Sequence, residues 1–357
     1  MPERSLPSTA AQKDRLLTGD RPTGPLHLGH LLGSLQSRVA MQDSHECFLI
    51  VADLHTLTTR PERDRIAELP RNVRAVVLDL LSVGIDPEKS TIYLQSGVPA
   101  VYDLAILLQM LIPASHLRSL ASIAQMAKVA GVDDERMSLG LLGYPVLQAA
   151  DILMARAQLI PVGGDNLAHV EIAREVAQSF NEMYAEVFPL PEGRASRVPM
   201  LPGIGPDGPA ASKMSKSAGN TINLGDTADV VASKLRTLGG ARLRGFIDAL
   251  IGNGDDDDGQ AKAMHAAHQA GKLSDAAVHD RLITETEALL APLRERRAAF
   301  EADEGLVEEI LVDGTIRARE VAYATLQQVR EAMGLEPLWK GLIDVAERRA
   351  LDRKKPY

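Results

Sequence analysis

One cysteine in 357 residues, Cys47, leaves no partner for a disulfide within the chain. It lies in the apolar run 47–51, which is typical of a buried strand, so we expect an inert, packed thiol in a cytoplasmic protein. The sequence also lacks an uninterrupted apolar run of spanning length, which predicts a protein without a membrane segment.

Aromatic residues are scarce, at 3% of the sequence, and basic residues do not outnumber acidic ones. There are 39 lysines and arginines and 48 aspartates and glutamates, a formal net charge of −9. This charge argues against a protein that binds DNA with its whole surface, although a local basic stripe could still hold a polyanion. With 45% hydrophobic and 24% charged residues the composition is globular, and the length is enough for about two domains.

Short apolar runs alternate with helical patterns in the first half of the sequence. Strands separated by helices predict an α/β fold with a parallel, doubly wound, Rossmann-like sheet. Helical stretches at 102–128 and 138–157 stand between two of these strands and predict a helical insertion. The strands are expected at 15–18, 47–52, 91–94 and 159–162, with helices from about Leu26 and at 62–83, the latter interrupted at Pro70.

The sequence changes character after a segment rich in glycine and proline, 203–209, which predicts a loop. Beyond about Thr227 the strand patterns end and helical patterns continue. We therefore predict a catalytic domain at 1–222, with the insertion at about 102–158, and a C-terminal helical domain at 223–357.

The helical domain contains two features that resemble metal sites only superficially. Asp255 to Asp258 lie between glycines, which is typical of a solvated loop. His265 and His268 are one helical turn apart but have no third ligand at metal-binding spacing, so we expect no metal site.

A turn rich in glycine and proline joins the first strand to the first helix, over residues 18–30. Such a turn places backbone N–H groups and the positive end of a helix at the carboxyl edge of the sheet, where nucleotide phosphates bind. His27 and His30 project from one side of the helix, and Gly29 between them lets a flat ring approach the backbone. Taken alone, the pattern is also explained by a helix start with two incidental histidines.

A second signal, Lys213-Met214-Ser215-Lys216-Ser217, follows the glycine- and proline-rich loop. Two ammonium groups three residues apart can neutralise the charge of a leaving pyrophosphate. This pentapeptide matches the second signature of class I aminoacyl-tRNA synthetases letter for letter, and His27-Leu28-Gly29-His30 is similar to the first. The resemblance implies that His27, His30, Lys213 and Lys216 are catalytic.

A polar stripe lies on the predicted helix of residues 140–153, where Pro145 suits the first helical position. Tyr144, Gln148 and Asp151 then stand at i, i+4 and i+7 on an otherwise apolar helix. A buried carboxylate needs partners. Either protein groups or a ligand that offers an N–H or O–H could supply them.

Most of the chain resembles the bacterial tryptophanyl-tRNA synthetases. The resemblance lies in the segments 95–99, 140–153, 159–181 and 313–335 and is weakest at about 236–273. It implies a tryptophan site built from Leu17, His55, Tyr144, Gln148, Asp151, Ile160, Val162 and Asn166, in which Asp151 accepts the indole N–H. It implies an ATP site built from Arg21, Pro22, Thr23, Gly29, His30, Gly163, Gly164, Asp165, Val198, Lys213, Met214, Ser215, Lys216 and Ser217.

Two departures from the family pattern keep other interpretations open. The family usually has Glu-Asp-Gln where this chain has Gly164-Asp165-Asn166, and many members have Met in place of Gln148. Tyr144, Gln148 and Asp151 are also the residues with which tyrosyl-tRNA synthetases hold tyrosine. Those enzymes usually carry a tyrosine at the position of Leu17, and an apolar residue there favours tryptophan. A catalytically reduced paralogue with a regulatory, RNA-binding role is a further alternative.

The activity implied by the resemblance is adenylation of L-tryptophan by ATP, with Mg²⁺ on the phosphates, followed by transfer to the 3′ end of tRNA(Trp). The same resemblance implies a homodimer. Binding of tRNA would need basic helices, for which the sequence offers Arg294, Arg296, Arg297, Arg317, Arg319, Arg348 and Arg349, although a solvated helix face is the more common explanation for any one of them.

Overall fold

The computed structural model describes residues 13–59, 61–133, 135–163, 167–195, 201–205, 213–252 and 259–353. Within these residues one sheet contains the strands β1 (Arg15–Asp20), β2 (Glu46–Val51), β3 (Ser90–Leu94), β4 (Leu159–Val162) and β5 (Glu192–Ala195). The strands are parallel and lie in the order β3-β2-β1-β4-β5. The prediction of a parallel, doubly wound α/β sheet is confirmed.

Helices connect the strands and make up the part of the described chain beyond β5. The first helix, α1, covers residues 28–41 and contains a π-helical stretch at Leu31–Leu35. The others before β5 are α2 (Asp53–Leu57), α3 (Arg63–Val83), α4 (Ala100–Gln109), α5 (Ala114–Ser119), α6 (Ala121–Ala130), α7 (Leu139–Met154) and α8 (Leu167–Met183). Those after β5 are α9 (Ala228–Leu235), α10 (Gly240–Leu250), α11 (Gln260–Gln269), α12 (Asp275–Ala302), α13 (Leu306–Ala332) and α14 (Leu335–Arg353).

Alternate strand residues face opposite sides of the sheet, and this places an apolar layer on each side. One layer includes Leu17, Phe48, Ile50 and Tyr93 and packs against the helices of the insertion. The other includes Leu16, Cys47, Leu49 and Ile92 and packs against α1, α3 and the helices α9 to α12. Cys47 is buried in this second layer, as predicted, and burial raises its thiol pKa to about 11.

Helix α13 covers the outer edge of the sheet. A side chain at Gly314 would clash with the carbonyl oxygen of Ile92, since a Cβ there would lie 1.9 Å from it. Next to the glycine, Thr315 Oγ1 accepts a hydrogen bond of 3.1 Å from the backbone N–H of Leu94. The helix therefore provides a hydrogen-bond acceptor for the edge strand β3 and covers an edge that could otherwise pair with another chain.

The predicted interruption at Pro70 is wrong, because α3 continues through it. Pro70 is exposed, and so is Ile66, whose carbonyl loses its helical partner to the proline ring. Water can satisfy that carbonyl at little cost. The apolar face further along the helix, which includes Val76 and Val77, is fully buried and keeps the helix in one piece.

The predicted position of Pro145 is also wrong. Helix α7 begins at Leu139, where Ser138 Oγ accepts a hydrogen bond of 3.1 Å from the backbone N–H of Leu141, and Pro145 lies inside the helix. A serine N-cap is a strong helix start. The buried face of α7 compensates for the donor that the proline lacks. No helix in the described part of the chain is long and apolar enough to cross a membrane.

Candidate active site

The chain reverses its direction across the sheet at β1, and the site predicted from the sequence lies there. From β1 the chain moves outward to β3 and then returns to the other side of β1 with β4. Ligands of α/β proteins bind at such reversals, outside the carboxyl ends of the strands. The predicted phosphate turn follows β1, and Gly163 follows β4. A separate open cleft, lined by Arg15, Arg156 and Glu320 among others, includes none of the predicted residues.

The turn after β1 is fixed by its own backbone conformation and by a hydrogen bond from outside it. Gly24 has a φ of +135°, a conformation that L side chains rarely adopt. The backbone N–H of Leu26 donates a hydrogen bond of 2.7 Å to Asp79 Oδ2. These constraints place His27, which is 5% exposed, at the N-cap of α1.

His27 and His30 lie in contact, with ring centroids 3.7 Å apart. Nδ1 of His30 accepts a hydrogen bond of 3.2 Å from the backbone N–H of His27. Burial, together with His30 and Lys216, lowers the pKa of His27 to about 2. Burial also lowers the pKa of His30 to about 4, although Asp20 opposes the shift. Both imidazoles are therefore neutral at pH 7 and can contact a phosphate oxygen as N–H donors rather than as cations.

Gly29 lies against the imidazole ring of His27. A Cβ at this position would lie 3.1 Å from Nδ1 of His27. It would also lie 3.7 Å from the Cβ of Met214. The missing side chain thus makes room for the ring of His27 itself, beside any room that it leaves for a ligand.

The Lys213-to-Ser217 segment lies against the phosphate turn. Nζ of Lys216 donates a hydrogen bond of 2.7 Å to the carbonyl oxygen of Gly24. Met214 is buried, and its backbone N–H donates to the carbonyl of Leu201 at 3.0 Å. Lys213 is exposed. Burial lowers the pKa of Lys216 to about 8, against the opposite effect of Asp20 and another carboxylate. The segment therefore brings an ammonium group, mostly protonated at pH 7, to the turn.

Two carboxylates surround Lys216, and guanidinium groups engage both. Asp20 Oδ2 accepts a bond of 2.5 Å from Arg38. Burial opposes ionisation of Asp20, but Arg38, His30 and Lys216 together outweigh it and lower the pKa to about 2. Asp79 is paired with Arg297 of α12, yet its complete burial raises its pKa to about 6. The phosphate end therefore has a net excess of cationic side chains.

Asp151 lies at the other end of the site, 2% exposed, on α7. Its Oδ2 is 3.0 Å from Nε2 of His55 and accepts a bond of 2.8 Å from Nε2 of Gln95. Its Oδ1 is buried and has no hydrogen-bond partner in the described residues. Burial raises the pKa of the carboxyl group against these two bonds. Protein groups thus satisfy one oxygen of Asp151 and leave the other for a ligand.

Apolar and aromatic side chains surround this carboxylate. Tyr144 packs edge-on against His55, with centroids 6.4 Å apart, and its hydroxyl lies 3.0 Å from Nε2 of His169. Gln148, on the same helix, is half-buried. The predicted residues Leu17, Ile160 and Val162 belong to or pack on the apolar layer that contains Tyr144.

Arg21 acts electrostatically on both ends of the site. It contributes to the lowered pKa of Lys216, after burial. Burial raises the pKa of Tyr144 against the opposite effect of Ser122 and of the Arg21 guanidinium. Arg21 is therefore within electrostatic range of groups at both ends. The predicted residues Gly164, Asp165, Asn166 and Val198 lie outside the described residues, as does the side chain of Ser217.

Sequence reasoning missed the residues that hold the predicted ones in place. Gln95 was noted only as part of a family resemblance, although its position directly after β3, at the carboxyl edge of the sheet, was a usable signal. Asp79 and Arg38 lie inside helices, where their charges resemble ordinary helix surface. His169 and Ser122 meet Tyr144 from two other helices and gave no local signal.

Several of the arginines considered for tRNA binding are engaged within the chain. Arg296 donates to the carbonyl of Ser82, Arg317 to that of Pro87 and Arg319 to that of Gly97. Arg294 pairs with Glu287, and Arg348 donates to the carbonyl of Asp344. Most of these groups therefore bind C-terminal helices to the rest of the protein. Likewise His265 pairs with Asp248, and His268 pairs with Asp275.

Comparisons with known proteins find a matching family, related sequences and a related structure. Residues 9–239 match the family "tRNA synthetases class I (W and Y)". The tryptophan–tRNA ligase of Treponema pallidum is 46% identical over 336 residues, which cover 90% of this chain and 97% of that protein. The tryptophan–tRNA ligase of Chlamydia caviae is 40% identical, with 94% and 99% covered. The crystal structure of tryptophanyl-tRNA synthetase from Campylobacter jejuni, complexed with ADP and tryptophan, has a TM-score of 0.73 at 30% identity, with 90% of this chain and 100% of that chain covered.

Proposed function

The chain belongs to the class I tRNA synthetases for tryptophan and tyrosine, and from that membership we propose that it is a tryptophan–tRNA ligase. It activates L-tryptophan with ATP to tryptophanyl-adenylate, releases pyrophosphate, and transfers the tryptophanyl group to the 3′ end of tRNA(Trp). It does so in the cytoplasm.

The unpartnered Oδ1 of Asp151 is the observation that carries the choice of amino acid. An indole N–H is a donor only, and a carboxylate oxygen is an acceptor only, so each satisfies the other. A buried acceptor without a donor is unfavourable, and binding of tryptophan removes that cost. The apolar Leu17 and Ile160 suit the rest of the indole ring.

The phosphate end supplies the groups for adenylation. The substrate carboxylate attacks the α-phosphorus of ATP, the bond to the pyrophosphate oxygen breaks, and the pyrophosphate leaves with the electron pair. His27 and His30 donate hydrogen bonds to the transferring group as neutral imidazoles. Lys213 and Lys216 neutralise the charge that collects on the leaving pyrophosphate.

Mg²⁺ would bind together with ATP rather than at a site formed by protein side chains. Asp20 and Asp79, the two carboxylates near Lys216, are paired with guanidinium groups. Oxygen ligands for Mg²⁺ would therefore come mainly from the phosphates and water, as is common for this ion. When bound, it neutralises phosphate charge.

We propose a homodimer that uses the exposed apolar face of α4. Ile106 on α4 is 56% exposed, Met110 directly after the helix is 69% exposed, and Tyr102 precedes Ile106 by about one turn. Ile106→Glu should convert the dimer to monomer in analytical ultracentrifugation. Leu342→Glu on α14 is the matched control, because Leu342 is also 56% exposed. A wild-type protein that sediments as a monomer would refute this part.

ATP–pyrophosphate exchange with each of the twenty amino acids tests the main proposal. Tryptophan should support exchange and tyrosine should not. Exchange with tyrosine alone would assign the chain to the other specificity of the family. Absence of exchange with every amino acid would instead support a regulatory RNA-binding role. Charging of tRNA(Trp) transcripts then tests the second step.

A further inference from the structure

Gln95 and His55 contact the same oxygen of Asp151. Gln95 is fully buried in a short helical turn, Gln95–Gly97, directly after β3. Its Nε2 lies 2.8 Å from Asp151 Oδ2, and His55 Nε2 lies 3.0 Å from that atom. The described residues offer no hydrogen bond to Oδ1. Two side chains thus contact Oδ2 of Asp151, and no group in the described residues hydrogen-bonds to Oδ1.

The orientation of the Gln95 amide is fixed by the backbone. Its Oε1 accepts hydrogen bonds from the backbone N–H groups of Leu54, at 3.1 Å, and of His55, at 3.4 Å. If the amide were rotated, its NH₂ group would face these two donors and its oxygen would face a carboxylate. A further bond joins the same segments, because Asp53 Oδ1 accepts from the backbone N–H of Ser96 at 2.9 Å. Gln95 can therefore only donate towards Asp151.

We propose that Gln95 is a positioning residue that determines specificity for the indole N–H. By donating to Oδ2 it holds Asp151 with Oδ1 as the one remaining acceptor. One N–H of Gln95 and the Nε2 atom of His55 are committed to Oδ2, so these two groups do not serve the oxygen of a phenol. A phenol needs both an acceptor and a donor, whereas an indole N–H needs an acceptor alone. The inference rests on the proposed function and adds a residue to it.

Gln95→Met tests the proposal, since methionine has a similar size and no N–H donor. The KM for tryptophan in pyrophosphate exchange should rise roughly ten- to a hundredfold, because the lost bond is to a charged group. The KM for benzothiophenyl-alanine, in which sulfur replaces the N–H, should change little. The kcat should be nearly constant for both amino acids.

Gln42→Met is the matched control. Gln42 is also a buried glutamine that bridges backbone groups: it donates to the carbonyl of Gly84 and accepts from the N–H of Asp86, at the far end of β3. This variant should have a similar effect on thermal stability but should leave the ratio of the two KM values unchanged. Equal rises in both KM values for Gln95→Met would mean that Gln95 only supports the shape of the pocket, and would overturn the inference.

Gln95→Glu gives a second readout that a purely structural role does not predict. A carboxyl group can donate to Asp151 only while it is protonated, so the KM for tryptophan should fall as the pH is lowered. Wild type and Gln42→Met should not show this recovery. A KM for Gln95→Glu that does not depend on pH would contradict the proposal. Wild-type protein without any tryptophan-dependent exchange would refute the proposed function itself, and with it this inference.

Discussion

The ammonium group of Lys216 donates a hydrogen bond of 2.7 Å to the carbonyl oxygen of Gly24. The lysine comes from the second signature segment and the glycine from the turn after β1, 192 residues earlier. The bond therefore closes the phosphate end of the site across two segments that are remote in sequence. It also places the ammonium next to the backbone that would receive the phosphates of ATP.

We predict that Lys216→Ala slows adenylate formation far more than it weakens binding of tryptophan. The ammonium gains most as charge collects on the leaving pyrophosphate, so it stabilises the transition state rather than the bound amino acid. Loss of one such group costs roughly 3 kcal/mol, or about a hundredfold in rate. Single-turnover kinetics and tryptophan titration measure the two effects. Lys340→Ala, on exposed α14, is the control. An unchanged single-turnover rate would refute the assignment.

A second prediction concerns pH. Burial lowers the pKa of Lys216 to about 8, so its charge is lost as the pH rises through about 8. The kcat/KM for ATP should fall over this range, because that ratio reports groups of the free enzyme. Lys216→Arg should retain its charge and shift the fall to higher pH. His27 and His30, with pKa values of about 2 and about 4, should add no inflection near pH 6.5. The same inflection in wild type and Lys216→Arg would contradict the prediction.

Much of the fold could be predicted from local patterns. The apolar runs identified four strands, and their alternation with helices gave the parallel sheet. The wrong predictions at Pro70 and Pro145 share one physical reason. A proline disfavours the interior of an isolated helix, but burial of the rest of the helix face outweighs that local cost.

The sequence predicted those parts of the candidate site whose residues lie close together in the chain. The pair His27 and His30 and the stripe on α7 are local, and so their spacing carries information. Gln95 meets Asp151 from 56 residues away, and Arg297 meets Asp79 from 218 residues away. No spacing rule connects such residues. Only tertiary packing brings them together, because the carboxyl end of β3 faces α7 and because α12 packs against α3.

The buried pair of Arg38 and Asp20 gives a prediction about stability. Arg38→Met should lower the free energy of unfolding by about 3 to 5 kcal/mol, because it leaves a buried carboxylate without its partner. Chemical denaturation at pH 7 measures this loss. Arg65→Met is the control, since its pair with Glu68 is exposed and should contribute little.

The same pair predicts how stability depends on pH. The folded-state pKa of Asp20 is lowered to about 2, below its value in an unfolded chain, so its ionised form stabilises the fold above about pH 4. That contribution should be lost as the pH falls from about 4 towards 2. Without the guanidinium, burial should raise the folded-state pKa of Asp20 in Arg38→Met, so this loss between about pH 4 and 2 should shrink or disappear. Identical acid unfolding curves for the two proteins would show that the pair does not act in this way.

The last prediction is that Asp151→Asn replaces the acceptor that faces the ligand with a donor. Nε2 of Gln95 is held as a donor, so the new amide should turn its oxygen towards Gln95 and its NH₂ group towards the ligand. An NH₂ group facing an indole N–H sets donor against donor. Tryptophan should then bind more weakly by about 1 to 3 kcal/mol, the cost of an unsatisfied buried donor.

Comparison with benzothiophenyl-alanine separates this effect from damage to the fold. The analogue has no N–H, so the variant should bind it about as well as wild type does, and the preference for tryptophan should largely disappear. Isothermal titration of both amino acids measures the change. A variant that keeps the wild-type preference would mean that Asp151 holds His55 and Gln95 in place without contacting the substrate. The assignment of tryptophan would then lose its main physical support, because the apolar lining alone distinguishes poorly between aromatic side chains.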